Sequence, residues 1–158
     1  MSKAAKELWE SGSKLQKSKD FDGAIKYYDE ALKLDPNYED AYAYRSYCYA
    51  QKGDLDRAIE DIGKILELNP KHEEAYITRA YYHSQNGDPA SSIADCTEAI
   101  RLNPNNIKSR FGRAASYGMM MEYDKGIEDF EAVLQFDPNN AQARQCIDDF
   151  KQHKEENE

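Results

Sequence analysis

The chain has 158 residues, a formal net charge of −9, 40% hydrophobic residues and 32% charged residues. This composition is typical of a mostly helical globular protein. The acidic balance argues against nucleic acid and anionic membranes, because both bind surfaces rich in Lys and Arg. We therefore predict a protein or peptide partner that is basic or apolar, with no nucleic-acid partner and no membrane partner.

The N-terminal residues Met1-Ser2-Lys3-Ala4 contain no apolar signal region, and no apolar run approaches the length of a membrane span. We therefore expect a cytoplasmic location. The three cysteines are odd in number and far apart in sequence, which favours small core residues in a reducing compartment over a disulfide framework or a zinc site. They are Cys48, Cys96 and Cys146.

One four-residue pattern recurs along the chain at a fixed period of 34 residues. It reads Leu34-Asp35-Pro36-Asn37, Leu68-Asn69-Pro70-Lys71, Leu102-Asn103-Pro104-Asn105 and Phe136-Asp137-Pro138-Asn139. Proline cannot continue a helix, and Asp or Asn before it favours a turn, so each copy is a helix stop. A fixed period of this size predicts a repeat architecture. We predict a single array over residues 1–158, with repeats at 5–38, 39–72, 73–106 and 107–140 and a capping helix at 141–153.

Each predicted repeat contains two helices joined by a short turn. In chain order, the predicted helices cover residues 5–18, 22–34, 39–52, 56–68, 73–86, 90–102, 107–120 and 124–136. Gly and Asp mark the turns inside the repeats, because Gly ends a helix and Asp caps the start of the next. Pro89 directly follows Asp88, so it falls at the first helical position, where proline is tolerated.

Two columns of aligned positions hold only small residues. The first helices carry Gly12, Ser46, Ala80 and Ala114, and the second helices carry Ala24, Ala58, Ser92 and Gly126. Small residues at both positions allow two antiparallel helices to approach closely, while larger residues pack beside them.

A ninth helix is predicted after residue 140. Ala143, Cys146, Ile147 and Phe150 follow the i, i+3, i+4, i+7 spacing of one helix face. The other faces of this segment are polar, so the helix can cover the exposed end of a repeat stack. We expect the last residues, from Lys154 to Glu158, to be frayed.

The period, the small columns, the aromatic columns and the closing proline resemble the tetratricopeptide repeat (TPR) family. This resemblance implies an all-α fold: a right-handed superhelical solenoid of four antiparallel helix pairs plus a C-terminal capping helix, with the first helices lining a concave groove. Three residues depart from the family pattern. Gly126 and Ser92 stand where Ala is usual and His83 stands where Tyr is usual, so we expect weaker packing at these points.

Arginine and aspartate recur in two further columns. Asp61, Asp95 and Asp129 each follow Arg45, Arg79 and Arg113, respectively, by 16 residues. Three aligned arginines would suit an anion clamp, but the pairing of the small columns also brings each arginine onto its aspartate. We therefore predict ion pairs within the repeats at Arg45–Asp61, Arg79–Asp95 and Arg113–Asp129, which restrain the crossing of the two helices.

Catalytic and cofactor motifs are absent from the sequence. It has no nucleophile elbow, no glycine-rich phosphate loop, and no His or Cys pair at ligand spacing on one helix face. The three histidines are scattered at His72, His83 and His153, and His83 occupies a packing column, where we expect a core residue. We predict that the protein is not an enzyme and has no cofactor and no metal site.

The concave surface that the family resemblance implies is rich in aromatic side chains. The candidate partner-binding residues are Trp9, Tyr44, Tyr47, Thr78, Tyr81, Lys108 and Phe111. Aromatic side chains with polar tips give large contact areas at low entropic cost and dominate binding hot spots. Packing between repeats is the alternative role, which we expect for about half of these residues. Tyr81 and Tyr82 are adjacent, so only one of them can face the groove.

We therefore predict a protein-interaction module, an adaptor that binds a peptide or partner helix in its concave groove. Replacing Tyr47 or Phe111 by Ala should weaken binding without unfolding the chain, whereas a loss of helicity would show that these residues belong to the core. The alternative is a self-assembling structural scaffold that forms oligomers through the solenoid ends, although we expect a monomer.

A third possibility comes from the family resemblance, because some members are co-chaperones that clamp the C-terminal carboxylate of heat-shock chaperones. Counted from the first repeat, the five clamp places hold Trp9, Ser13, Tyr44, Glu74 and Thr78. Counted from the second repeat, they hold Ala43, Tyr47, Thr78, Lys108 and Gly112. Only Lys108 matches the clamp, so a terminal carboxylate would have too few cations to pair with, and we expect no clamp.

Overall fold

The computed structural model describes residues 2–157, and all regular structure in this range is helical. The helices are α1 (Lys3–Lys17), α2 (Phe21–Leu34), α3 (Glu39–Gln51), α4 (Leu55–Leu68), α5 (Glu73–Gln85), α6 (Pro89–Leu102), α7 (Ile107–Met119), α8 (Tyr123–Phe136) and α9 (Ala141–Asn157). The predicted all-α fold class is confirmed. The helix boundaries lie within two residues of the predicted ones, except at the end of α9.

The described chain divides within α5, between Ala75 and Tyr76, into two compact units. The N-terminal unit contains α1 to α4 and the first turn of α5. The C-terminal unit contains the rest of α5 and α6 to α9. In the N-terminal unit α1 packs on α2, α2 on α3 and α3 on α4, and in the C-terminal unit α6 packs on α7, α7 on α8 and α8 on α9. The organisation of the whole chain as one array of four repeats is our proposal.

The second helix of each repeat ends directly before the Asp-Pro or Asn-Pro step, as predicted. The last helical residues are Leu34, Leu68, Leu102 and Phe136. At the first stop, the carbonyl of Asp35 accepts the amide of Tyr38 at 3.2 Å, which closes a β-turn with Pro36 in its second position. The Asp35 carboxylate also accepts the amide of Asn37 at 3.2 Å. The turn thus replaces the hydrogen bonds that a continued helix would make.

Aspartate caps three of the second helices. Asp20, Asp54 and Asp88 accept the backbone amides of Gly23, Arg57 and Ser91 at 2.9, 3.2 and 3.0 Å. Pro89 is the first residue of α6, so the predicted tolerance of this proline is confirmed. Because each capping side chain satisfies one amide that has no partner within the helix, these aspartates fix where the second helices begin.

The residue that ends the first helix of each pair adopts a left-handed backbone. The φ angles are 64° at Lys19, 81° at Gly53, 77° at Gly87 and 60° at Met121. Gly adopts this conformation without a Cβ clash, whereas Lys and Met are strained in it. The tight turn is therefore common to all four pairs, although only two of them have the residue that suits it.

The eight residues of the two small columns are all buried. A Cβ added to Gly12 would lie 2.7 Å from Cε1 of Tyr28, so the first helix pair depends on the missing side chain. At Gly126, an added Cβ would lie 2.9 Å from Cδ2 of Phe150 in α9. The expected weak packing at Gly126 is therefore wrong, because the aromatic ring of the ninth helix occupies the space.

Helix α9 covers α8 with one apolar face, as predicted. Ala143 and Ile147 are buried in a core cluster with Ala114, Phe130 and Val133. The expected fraying after residue 153 is wrong for the described residues, because α9 continues to Asn157. The Lys154 ammonium lies 2.8 Å from the carboxylate of Asp124, which helps to hold this last turn. Glu158 lies outside the described residues.

Candidate functional site

Helix α3 of the N-terminal unit presents aromatic side chains to solvent. Tyr44 and Tyr47 are 36% and 43% exposed, and their spacing of three residues puts them on the same helix face. The ring of Tyr44 packs edge-on against Trp9 of α1, with centroids 5.1 Å apart. The ring of Tyr47 packs edge-on against Phe21 of α2 at 6.4 Å. Each exposed tyrosine is therefore supported by a second ring.

Trp9 has a packing role as well as a possible contact role. It is half-buried and packs against the core clusters formed around Tyr38 and Tyr28. Its indole Nε1 is buried and has no hydrogen-bond partner among the described residues. Trp9 therefore matches the alternative role that the sequence left open, in which part of the aromatic set joins the helices together.

In the C-terminal unit, the adjacent tyrosines of α5 point to different surroundings. Tyr81 is 60% exposed, whereas Tyr82 is 7% exposed and belongs to the core. The prediction that only one of them can face a partner is confirmed. Thr78, one turn before Tyr81, is half-buried, and Lys108 at the start of α7 is exposed.

Phe111 lies deeper than the predicted contact residues around it. Its ring packs edge-on against Phe130 of α8 with centroids 5.0 Å apart, and it joins the core cluster below α9. It is half-buried. Phe111 is therefore a packing residue of the C-terminal unit, so a change to Ala should lower stability as well as any binding.

A pocket of about 380 Å³ opens between α5 and α7 of the C-terminal unit. Its walls include the small or aliphatic residues Ile77, Ala80, Cys96, Gly112 and Ala115. Its polar lining residues include Tyr81, Ser84, Gln85 and Lys108. Tyr81 and Lys108, two of the predicted partner-binding residues, are thus brought together at one pocket, and the sequence gave no sign of the pocket itself.

The three predicted ion pairs are confirmed. Each arginine donates two hydrogen bonds to its aspartate, from Nε and from Nη2. The shortest N–O distances are 2.6 Å for Arg45–Asp61, 2.7 Å for Arg79–Asp95 and 2.7 Å for Arg113–Asp129. The aspartate side chains are only 3% to 7% exposed. This buried, two-point pairing leaves the arginines little capacity for an anion clamp.

Two of these arginines also reach the helix before their own pair. Arg45 Nη1 donates to Asp29 of α2 at 2.6 Å, and Arg113 Nη1 donates to Thr97 of α6 at 3.1 Å. Both acceptors stand 16 residues before the arginine, in one column of the alignment. The sequence analysis missed these contacts, although a search for polar residues in that column would have found them.

The pairing keeps the arginines charged and the cysteines unreactive. The hydrogen bond to Asp95 raises the pKa of Arg79, and the one to Asp129 raises the pKa of Arg113, in each case against the effect of burial. Burial raises the pKa of Cys96 to about 12, so its thiol is protonated at neutral pH. Cys48 and Cys96 are buried free thiols, as predicted, and Cys146 is partly buried.

His83 lies between the two helices of its repeat. Its side chain is 18% exposed, and Nε2 is 3.9 Å from the Asp95 carboxylate. In the described part of the chain, no three His, Cys, Asp or Glu side chains are grouped in a way that could hold a metal ion. None of the helices described there combines the length and apolar character needed to cross a membrane.

The paired helices, the buried small columns and the 34-residue period define a helical-repeat protein. Two family models, both described as tetratricopeptide repeat, match residues 15–80 and 73–106, which together make up more than half of the chain. The chain belongs to the tetratricopeptide repeat family. Proteins of this family are generally non-enzymatic modules for protein–protein interaction, and the fold supports that role here.

Solved structures of similar fold include three informative examples. The MamA protein is 28% identical, with a TM-score of 0.85 over 99% of this chain and 87% of that chain. YrrB, described as a TPR protein with an unusual peptide-binding site, is 22% identical, with a TM-score of 0.77 over 94% and 76%. The first TPR of Spaghetti (RPAP3), bound to the HSP90 peptide SRMEEVD, is 22% identical, with a TM-score of 0.70 over 76% and 95%. At this identity, the last two establish the fold alone.

Proposed function

We propose that this protein is an adaptor that binds a peptide or a partner helix along the first helices of its repeats. The proposed contact residues are Trp9, Tyr44, Tyr47, Thr78, Tyr81, Lys108 and Phe111. The observation that carries this proposal is the exposure of tyrosines on first helices, 43% for Tyr47 and 60% for Tyr81. Rings of this kind contribute most to binding when a partner covers them.

The proposed partner is apolar or basic, because the chain has a net charge of −9 and exposes aromatic surface. YrrB and the first TPR of Spaghetti are described as peptide-binding, which makes a peptide a reasonable ligand for this chain also. We do not extend the HSP90 peptide to it, because Lys108 is the one residue that matches the carboxylate clamp. A cytoplasmic location fits the three free cysteines.

The proposal can be tested by affinity capture with quantitative mass spectrometry, using the full chain as bait. The double variant Tyr47→Ala/Tyr81→Ala removes one exposed ring from each unit. Each ring should be worth about 1–3 kcal/mol if it is a hot spot. We therefore expect the specific partners to be lost from the double variant by tenfold or more.

Tyr27 offers a matched control, because it is 40% exposed but lies on a second helix. Tyr27→Ala should capture the same partners as the wild type. Equal capture by all three proteins would contradict the proposed surface. Light scattering over a concentration series should show a monomer. A mass that rises with concentration would favour the self-assembling scaffold.

A further inference from the structure

We propose that the pocket between α5 and α7 takes one aliphatic side chain of the bound peptide, and that Lys108 binds a carboxylate next to that side chain. This inference rests on the proposed function, because it assigns a ligand chemistry to one part of the same surface. The pocket lies wholly within the C-terminal unit, since its residues run from Ile77 to Ala115.

The walls of the pocket suit an aliphatic side chain. Its volume is about 380 Å³, which is large enough for a leucine or methionine side chain with part of its backbone. Ala80 and Cys96 are buried, and the apolar surface that they share has no charged group. A Cβ added to Gly112 would lie 3.0 Å from the Cys96 sulfur. The open space therefore depends on small residues at these positions.

The rim of the pocket can bind the backbone of an extended peptide. Tyr81 is 60% exposed, and Ser84 and Gln85 line the same side. The Ser84 hydroxyl donates to the sulfur of Met119 at 3.4 Å, so its oxygen can still accept an amide of the peptide. Polar side chains around an apolar space fix the orientation of a ligand while the apolar walls supply affinity.

The charge at this pocket is opposite to that of the whole chain. Among the described residues that line it, Lys108 is the one with a charge, whereas the chain carries −9. Screening limits the influence of distant charges to roughly 10 Å at moderate salt, so the local cation decides the preference. An ammonium group has three donors, so a carboxylate can bind beside the interaction that Lys108 already makes.

The test is a selection of displayed, random twelve-residue peptides on the full wild-type chain, followed by sequencing of the bound pool. We expect enrichment of Leu, Ile or Met with Asp or Glu one or two positions away. The most enriched peptide is then synthesised with a fluorescent label, and its affinity is measured by anisotropy.

Three variants resolve the parts of the inference. Lys108→Glu should weaken the labelled peptide by about tenfold or more, and a peptide with Lys in place of its acidic residue should regain affinity. Ala115→Phe, at an exposed position on the pocket wall, should fill the space and lower the affinity by a similar factor. Lys151→Glu makes the same charge change on the exposed side of α9 and should alter affinity less than about twofold.

The outcomes separate this inference from the proposed function. Suppose that selected peptides lose affinity with Tyr47→Ala/Tyr81→Ala but show no aliphatic–acidic pair, or are unaffected by Lys108→Glu. The pocket assignment is then wrong and the adaptor proposal stands. If no peptide is enriched, or if the enriched peptides ignore the tyrosine variant, both are contradicted. Circular dichroism of every variant establishes that a lost affinity does not reflect unfolding.

Discussion

Replacing Arg79 by Met should destabilise the C-terminal unit by about 3–5 kcal/mol, because it leaves a buried carboxylate without its partner. Asp95 is 7% exposed, and Arg79 donates hydrogen bonds to it at 2.8 and 2.7 Å. We expect the lower end of this range, because His83 Nε2 lies 3.9 Å from the same carboxylate and can recover part of the lost interaction. Even the lower value is a large part of the stability of a typical domain.

The double variant Arg79→Met/Asp95→Leu should behave differently. Both charges are then gone, and apolar side chains of similar volume occupy the space. Buried ion pairs replaced in this way often leave stability unchanged or raise it by 1–4 kcal/mol. We therefore expect the double variant to be at least about as stable as the wild type. The buried pair would then act through the geometry of the helix crossing more than through net stability.

Urea denaturation followed by circular dichroism measures these differences, with hydrogen exchange of the α5 and α6 amides as a local readout. Arg101→Met is the control, because the Arg101–Glu98 pair is 63% and 42% exposed and should contribute less than about 1 kcal/mol. A loss below about 1 kcal/mol in Arg79→Met would refute the reasoning, since it would mean that water reaches the Asp95 carboxylate.

Three further predictions concern single positions. Met121→Gly should raise the free energy of unfolding by about 0.5–1 kcal/mol, because Met121 is 70% exposed and strained at a φ of 60°. Thr97→Asp should add up to about 1 kcal/mol by giving Arg113 a charged acceptor, as measured by urea denaturation. Hydrogen bonds from Ser91 lower the pKa of Asp88, so stability should fall as the pH drops below about 4, and Asp88→Asn should flatten that part of a stability-against-pH curve.

Each of these predictions has an outcome that contradicts it. Met120 precedes the strained residue at a φ of −91°, so Met120→Gly should destabilise, and equal effects at both positions would refute the strain argument. A Thr97→Asp variant whose gain survives high salt would not owe it to Arg113. Acid sensitivity that is unchanged in Asp88→Asn would place the titrating group elsewhere.

The sequence predicted well those features that depend on one repeat alone. The proline stops and the Arg–Asp pairs involve residues within one pair of helices, and the period aligns them without knowledge of neighbours. The depth of Trp9 and Phe111 was less accessible. Their exposure depends on how a following helix packs on them, and Phe111 contacts Phe130 in a core that α9 closes.

The pocket and the strained turn were not predicted for related reasons. A pocket is set by the volume left between side chains of several helices, which no single column of the alignment shows. At Met121, the turn geometry common to all repeats overrides the preference of the residue, so a non-glycine residue adopts a positive φ. The packing role of Gly126 was missed because Phe150, which fills the space beside it, follows 24 residues later in a helix outside the repeats.

The reach of Arg45 to both Asp61 and Asp29 joins three successive helices, α2, α3 and α4, through one side chain. In a linear array, such links supply the nearest-neighbour coupling that makes adjacent segments melt cooperatively. When the α3–α4 hairpin opens, α2 loses an electrostatic anchor at the same moment. We therefore expect amide protection in α2 to decay together with that in α3, which would make the first two hairpins a single cooperative foldon.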